Sequence, residues 1–215
     1  MRHSSERVPG KNYRRLGDRP LYHHIVQTLL DVPEITEVVI DTDSATILEE
    51  ASTAFPGVRL LERPPHLRSG ETPMNDVLLN TVSALEADLF LQTHSTNPFL
   101  TADTISHGLN LLAADEEADS LFGVTRLQAR LWTKDVKPLN HDPKVLLRTQ
   151  DLDPVYLENS CMYVFDRQTL VARGNRIGER PLVLEINGHE ALDIDVEPEF
   201  RMAELVWSSL QAKGN

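Results

Sequence analysis

Six short apolar runs, at residues 38–40, 58–61, 89–91, 121–124, 161–165 and 182–186, punctuate this chain, and the first four alternate with segments of helical periodicity. Strands buried on both faces read as continuous apolar runs, so this rhythm predicts strands of a mainly parallel sheet. Between them, a helix is predicted over 21–30 after Pro20, with Leu21, Ile25, Val26, Leu29 and Leu30 on one face. A second runs from an Asp43 or Ser44 cap to Phe55, and a third spans 73–85 with Val77, Leu78, Val82 and Leu85 inward. A fourth runs from a Thr101 or Asp103 cap to Ala114, and a terminal helix opens at Pro198 and buries Phe200, Ala203, Val206 and Leu210. Strand–helix alternation of this kind gives an α/β fold in three α/β/α layers. Ligands in such folds sit where loops leave the carboxyl ends of the strands.

The 215 residues, 40% of them hydrophobic, suffice for one domain with a real core. A formal net charge of −12 argues against nucleic acid or an anionic membrane as partner. The lone Cys161, set among apolar residues, excludes an internal disulfide and a cysteine-rich zinc site. With no apolar run of membrane-spanning length and no signal peptide visible, a cytoplasmic protein is expected. The rhythm breaks over 127–158, where Pro138, Pro143 and Pro154 stand among scattered apolar residues. That stretch is too long for an ordinary connection and reads as an arm docking elsewhere or a surface loop.

Two segments carry the chemistry. Asp193-Ile194-Asp195 places two carboxylates at i and i+2, on one side of an extended backbone. Mg²⁺ favours one or two carboxylates together with water and substrate phosphates, so the pair suits nucleotide chemistry. The N-terminal Arg2-His3-Ser4-Ser5-Glu6-Arg7-Val8-Pro9-Gly10-Lys11-Asn12 reads as a loop that should follow an apolar strand. A chain of this class normally opens with that strand, so an upstream strand of roughly five residues is expected.

In this order along the chain, the segments resemble the acylneuraminate cytidylyltransferases, the CMP–sialic acid synthetase family. The resemblance rests on Arg2, Ser5, Arg7, Pro9, Gly10, Lys11 and Asn12, on Asp41-Thr42-Asp43-Ser44, and on Arg63-Pro64. It continues through Gln92-Thr93-His94-Ser95-Thr96-Asn97-Pro98, Glu158–Tyr163 and Asp193-Ile194-Asp195. It implies a Rossmann-like nucleotidyltransferase fold whose first strand is missing here. It also implies an activity that moves CMP from CTP to the anomeric hydroxyl of a nonulosonic or related sugar acid, releasing pyrophosphate. By the same resemblance Arg2, Ser5 and Lys11 face the triphosphate, and Asn12, Arg63 and the Thr72-Pro73 turn face cytosine. Gln92, Arg148, Asn159 and Tyr163 face the sugar acid, and Asp193 and Asp195 hold Mg²⁺; His94, in the loop after an apolar strand beside Gln92, is a further candidate substrate contact by its position. Lys11 and Asp195 are the expected catalytic residues; the base that takes the sugar proton stays open between Asp195 and a metal-bound hydroxide. The 127–158 arm corresponds to a dimerisation excursion, implying a homodimer.

Three departures mark this chain. Glu6 stands where sialic acid members carry a lysine, His3 and Ser4 replace two glycines, and the Gln92–Pro98 loop is longer than usual. Two other readings stand beside the leading one: a non-catalytic or start-truncated nucleotide- or sugar-binding homologue, and a nucleotide-sugar glycosyltransferase using its own D-x-D pair.

Overall fold

The computed structural model of the chain describes residues 1–186 and 188–213. A two-residue antiparallel pair, β1 (Arg15–Leu16) and β2 (Arg19–Pro20), leads into α1 (Leu21–Leu30). There follow β3 (Val39–Thr42), α2 (Ala45–Ala54), β4 (Arg59–Glu62), α3 (Met74–Ser83), β5 (Leu89–Thr93), α4 (Ala102–Ala113) and β6 (Ser120–Leu127). The chain closes with β7 (Val155–Asp166), α5 (Arg167–Arg173), β8 (Pro181–Glu185) and α6 (Glu197–Lys213). The helix starts follow their capping chemistry. The Ser44 hydroxyl accepts from the Ile47 amide at 3.3 Å, and the Thr101 hydroxyl from the Thr104 amide at 3.2 Å. Pro20 and Pro73 pre-set the entries of α1 and α3.

Strands β3 and β4 pair in parallel as one two-stranded sheet. The second sheet has the order β5-β7-β6-β8, with β6 parallel to β8 and β7 antiparallel to both neighbours. Strands β5, β6 and β8 therefore share one direction, and β7 alone is reversed. The sequence rhythm anticipated the parallel strands but not this reversal. One helix also escaped it: α5 is only seven residues long, too short for periodicity to register. Its boundaries are nonetheless set locally, by the Asp166 carboxylate accepting from the Thr169 amide at 2.6 Å and by Gly174 at φ 59°.

Helices α1 and α2 cover β3 and β4 through Tyr22, Val26, Ile40, Ile47 and Phe55. On the second sheet, Ile105 and Leu112 of α4 meet Leu121, Met162, Val164 and Leu184. Gly108 lets this helix approach closely, since a Cβ there would lie 2.9 Å from the Met162 methyl. On the other face, α3 and α5 pack Val82 and Leu170 against Phe90 and Phe165. A smaller cluster joins Val8 of the N-terminal loop to Ile194, Phe200 and Ala203.

The arm is shorter than the sequence suggested. Residues 155–158 belong to β7, because Val155 to Glu158 pair with Leu127 to Val124 beyond a bulge at Gly123. What projects is residues 128–154, and it exposes large apolar side chains: Val136 is 76% and Leu146 90% exposed. The acidic pair also departs from expectation. Asp193 to Asp195 lie in an extended loop after a 3₁₀ turn (Gly188–Ala191), outside any strand, and α6 opens at Glu197. A side chain fixes that loop rather than a ladder: Glu199 Oε2 accepts from the amides of Asp195 (2.6 Å) and Val196 (2.9 Å), in the manner of a capping box. No described helix is long and apolar enough to cross a membrane.

Candidate active site

The N-terminal loop and the acidic pair, more than 180 residues apart in sequence, meet through their apolar members. Val8 and Ile194 are both fully buried in one cluster, which fixes Lys11 and Asp195 beside each other. Gly10, at φ 66°, makes the turn that starts the Lys11 segment. Lys11 is only 9% exposed, and its Nζ donates to the Ile194 carbonyl at 2.6 Å and to Asp195 Oδ1 at 3.2 Å. Arg7 reaches the other oxygen of Asp195 at 3.0 Å. Burial pushes the Asp195 carboxyl up, but the Lys11 hydrogen bond and the Lys11 and Arg7 charges outweigh it and hold it below the usual range.

Asp193 is the opposite case. Burial raises its carboxyl above the usual range, only partly offset by a hydrogen bond to Thr96, and the neighbouring Asp195 charge adds to the rise. Its Oδ1 is buried with no hydrogen-bond partner among the described residues. A buried carboxylate oxygen without a donor, two residues from an ionised carboxylate, fits a hard divalent cation. Among the described residues no cluster of three or more His, Cys, Asp or Glu side chains could cage a metal. Two carboxylates completed by phosphate and water oxygens are the donor set that remains, and it matches Mg²⁺ coordination.

The remaining loop residues gather at the carboxyl ends of β3 and β5. Asn12 is buried; its Nδ2 donates to the Arg2 carbonyl at 2.7 Å, and its Oδ1 accepts from the Ser95 hydroxyl at 2.7 Å. Arg63, 4% exposed, pairs with Asp41 at 2.6 Å, and Thr81 donates to the second oxygen of that carboxylate at 2.8 Å. His3 ties the loop to the turn after β3 through Asp43 (2.5 Å) and Ser44 (2.8 Å). Arg2, Ser5, Lys11, Asn12, Arg63 and His94 all line one cavity of about 1020 Å³. Thr72 sits just outside this lining, in the turn whose Gly70 and Glu71 contribute to it.

A second cluster lies on β5, β7 and the loop before β8; of its members Gln92 and His94 line the cavity, while Tyr163 is fully buried and Arg176 is outside the lining. Gln92 on β5 lies opposite Tyr163 on β7. Arg176 stacks over the Tyr163 ring at 3.5 Å and donates to Gln92 Oε1 at 2.7 Å, while Gln92 Nε2 bonds His94 Nε2 at 3.1 Å. Burial, then the nearby Arg176 charge, depress His94 to about 4, leaving a neutral ring. Arg176 makes no ion pair within 4 Å among the described residues, although the charge of Glu158, whose carboxylate accepts from the Tyr163 hydroxyl, acts on this half-buried guanidinium. Sequence reading missed it. Its one signal is a lone cation in the Gly174-Asn175-Arg176-Ile177-Gly178 loop ahead of an apolar strand.

Two sequence-predicted residues stand apart. Arg148 lies on the arm, 72% exposed, in a bidentate pair with Asp151 at 2.7 and 3.0 Å. Within one chain it does not join the cluster. Asn159 is buried with its amide engaged by Thr125, the Ile186 carbonyl and the Cys161 amide, which secures the Gly123 bulge. The Cys161 thiol, pushed up to about 12 by burial, is a packing residue and no nucleophile.

Known proteins resemble this chain in sequence and in fold. The chain is 24% identical over 211 residues to N-acylneuraminate cytidylyltransferase A of Danio rerio, covering 94% of this chain but 48% of that protein. It thus spans about half the length of that relative. It is 26% identical to the CMP-N,N'-diacetyllegionaminic acid synthase of Legionella pneumophila, over 94% of this chain and 91% of that one. Among solved structures, a CMP:2-keto-3-deoxy-manno-octonic acid synthetase complexed with CTP superposes with a TM-score of 0.70 at 16% identity, covering 97% of this chain and 96% of that one. The 4-diphosphocytidyl-2C-methyl-D-erythritol synthase of Anaerococcus prevotii gives 0.70 at 14% identity, covering 95% and 93%. These likenesses establish the nucleotidyltransferase fold. Because the cytidylyltransferase family model matches residues 1–181, well over half of the chain, the chain belongs to the cytidylyltransferase family.

Proposed function

We propose that this protein transfers CMP from CTP to the anomeric hydroxyl of a nonulosonic or related sugar acid, releasing pyrophosphate with the help of Mg²⁺. The observation that carries the reading is the 3.2 Å contact between Lys11 and Asp195, which joins a basic loop to an acidic pair in one cleft. In the reaction the sugar hydroxyl gives up its proton to a base, its oxygen bonds to the α-phosphorus, the bond to the oxygen bridging to the β-phosphate breaks, and pyrophosphate leaves. Lys11, with Arg2 and the loop around Ser5, places positive charge where the leaving group accumulates negative charge. Asp193 and Asp195 would hold the cation, which when bound neutralises phosphate charge. Asn12 and the Arg63–Asp41 pair offer donors and acceptors to the cytosine edge, and the buried pair fixes their geometry.

The acid's carboxylate is assigned to Arg176, whose guanidinium is oriented by Gln92 and Tyr163. Sialic and legionaminic acids head the candidate substrates, because proteins named for them are similar to this chain over most of its length. The exposed apolar residues of the arm, Val136 and Leu146 among them, suit a homodimer in which Arg148 of one chain approaches the partner's cleft. Sedimentation at micromolar concentration checks this, and a monomer at all concentrations refutes it. The activity test incubates the protein with CTP, Mg²⁺ and sialic, legionaminic, pseudaminic or octulosonic acid and measures pyrophosphate release. Release with at least one acid supports the reading; silence across the panel, with no CTP binding by calorimetry, overturns it.

A further inference from the structure

The turn that leaves β5 is tied to two other segments of the chain. The Asn97 amide closes it by donating to the His94 carbonyl at 3.2 Å. The Ser95 hydroxyl donates to Asn12 Oδ1 at 2.7 Å, on the N-terminal loop. On the acidic loop, the Thr96 carbonyl accepts from the Ile194 amide at 2.9 Å, and Asn97 Nδ2 donates to the Leu192 carbonyl at 3.2 Å. Ser95 and Asn97 are buried in these contacts. His94 heads the turn, and it lines the cavity together with Gln92, Lys11 and Asn12.

The hydrogen bonds around that ring fix where its proton sits. Arg176 can only donate, so the atom it meets at 2.7 Å is the oxygen of the Gln92 amide. This leaves the Gln92 nitrogen, which also can only donate, 3.1 Å from His94 Nε2. Nε2 is therefore the acceptor and carries no proton, and in the neutral ring the proton lies on Nδ1. An imidazolium would set two donors against each other, and burial with the Arg176 charge disfavours it as well. Nδ1 has no hydrogen-bond partner among the described residues and stays open to solvent.

We propose that Gln92 holds His94 as an Nδ1–H donor, and that this N–H binds a carboxylate oxygen of the sugar acid alongside the Arg176 charge. The ligand class rests on the function proposed above; the tautomer does not. Gln92 and His94 line the cavity while Arg176 lies outside the lining, so a ligand meets the ring before the guanidinium. Arg176 then supplies the positive charge and His94 the directed hydrogen bond. The same geometry excludes His94 as the base that takes the sugar proton. Its one lone pair, on Nε2, is already committed to the Gln92 amide.

The first readout needs no substrate. In the full chain labelled with ¹⁵N in histidine, long-range ¹H–¹⁵N spectra read the tautomer of each ring, and His94→Asn identifies the His94 signals by their loss. The proposal expects the Nδ1–H form in the parent near neutral pH. In Gln92→Glu, whose carboxylate accepts, it expects a switch to a protonated Nε2. An Nε2–H ring in the parent, or the same tautomer in both proteins, overturns the proposal even where turnover is normal. The second readout uses whichever of the sialic, legionaminic, pseudaminic and octulosonic acids releases pyrophosphate. His94→Asn keeps a donor at the Nδ1 position and should hold KM for the acid within about threefold of the parent. His94→Gln places its amide at the Nε2 position and His94→Phe has none, so both should raise KM at least about tenfold with CTP affinity unchanged. Equal KM in all three variants, or CTP affinity falling in step with KM, overturns the carboxylate contact. Silence of the parent with every acid refutes the sugar-acid reading and the contact with it.

Discussion

Replacing Lys11 with methionine keeps the apolar stem but removes one buried cation that makes two contacts, to the Ile194 carbonyl at 2.6 Å and to Asp195 at 3.2 Å. Losing the first leaves a buried carbonyl short of its donor, a cost of about 1–3 kcal/mol. The ion pair contributes less, about 1 kcal/mol or below, because the Asp195 side chain is 42% exposed and screened by water. The sum of about 1–4 kcal/mol corresponds to a Tm lowered by roughly 2–16 °C for a chain of this size. The catalytic effect is larger. Removing one pre-positioned charge aimed at a developing anion costs on the order of 10²–10³ in kcat. Pyrophosphate release measured well below the lowered Tm separates the two effects, and calorimetry with CTP adds a third reading. Lys11→Arg should recover part of the activity, since the charge is restored. If Lys11→Met loses the expected stability but retains activity and CTP affinity within about threefold of the parent, Lys11 is a structural brace and the phosphate assignment is refuted.

Other expectations follow from the same geometry. Asp193→Asn removes a carboxyl that burial already disfavours, so stability should hold or rise by roughly 1 kcal/mol while the Mg²⁺-dependent rate falls at least about 10²-fold; a destabilised, fully active variant contradicts this. Arg176→Met should raise KM for the sugar acid by at least about tenfold while leaving CTP affinity intact, and an unchanged KM removes Arg176 from the pocket. His94 is depressed to about 4 in the fold against an ordinary 6.5 when unfolded, so between those values the unfolded chain binds the extra proton and stability falls with falling pH. The loss reaches at most about 3 kcal/mol by pH 4, and His94→Gln should flatten that part of the pH–stability curve in denaturant titrations.

Local chemistry made much of this legible beforehand. Helix α1 covers the stretch Pro20 foretold, and Ser44 and Thr101 cap the helices that follow them, because caps and prolines act within a few residues. Convergence of Lys11 with Asp195 was legible only through resemblance, since a contact spanning 184 residues leaves no periodic trace in the sequence. The reversal of β7 and its extension to Val155 were hidden because an apolar run has no direction and its outer residues look like arm. Arg176 stayed invisible for a related reason. Its meaning comes from Gln92 and Tyr163, which belong to different strands and meet it only in the folded chain.

The central claim is that one triphosphate is gripped from two sides, by the loop carrying Lys11 and by the Asp193–Asp195 pair. A crystal structure of the protein with CTP and Mg²⁺ tests it directly. The account expects the phosphates within hydrogen-bonding reach of Lys11, and a cation bridging them to the two aspartates. Nucleotide bound in a different cleft, or phosphates lying beside Lys11 with the aspartates turned away from them, would contradict it.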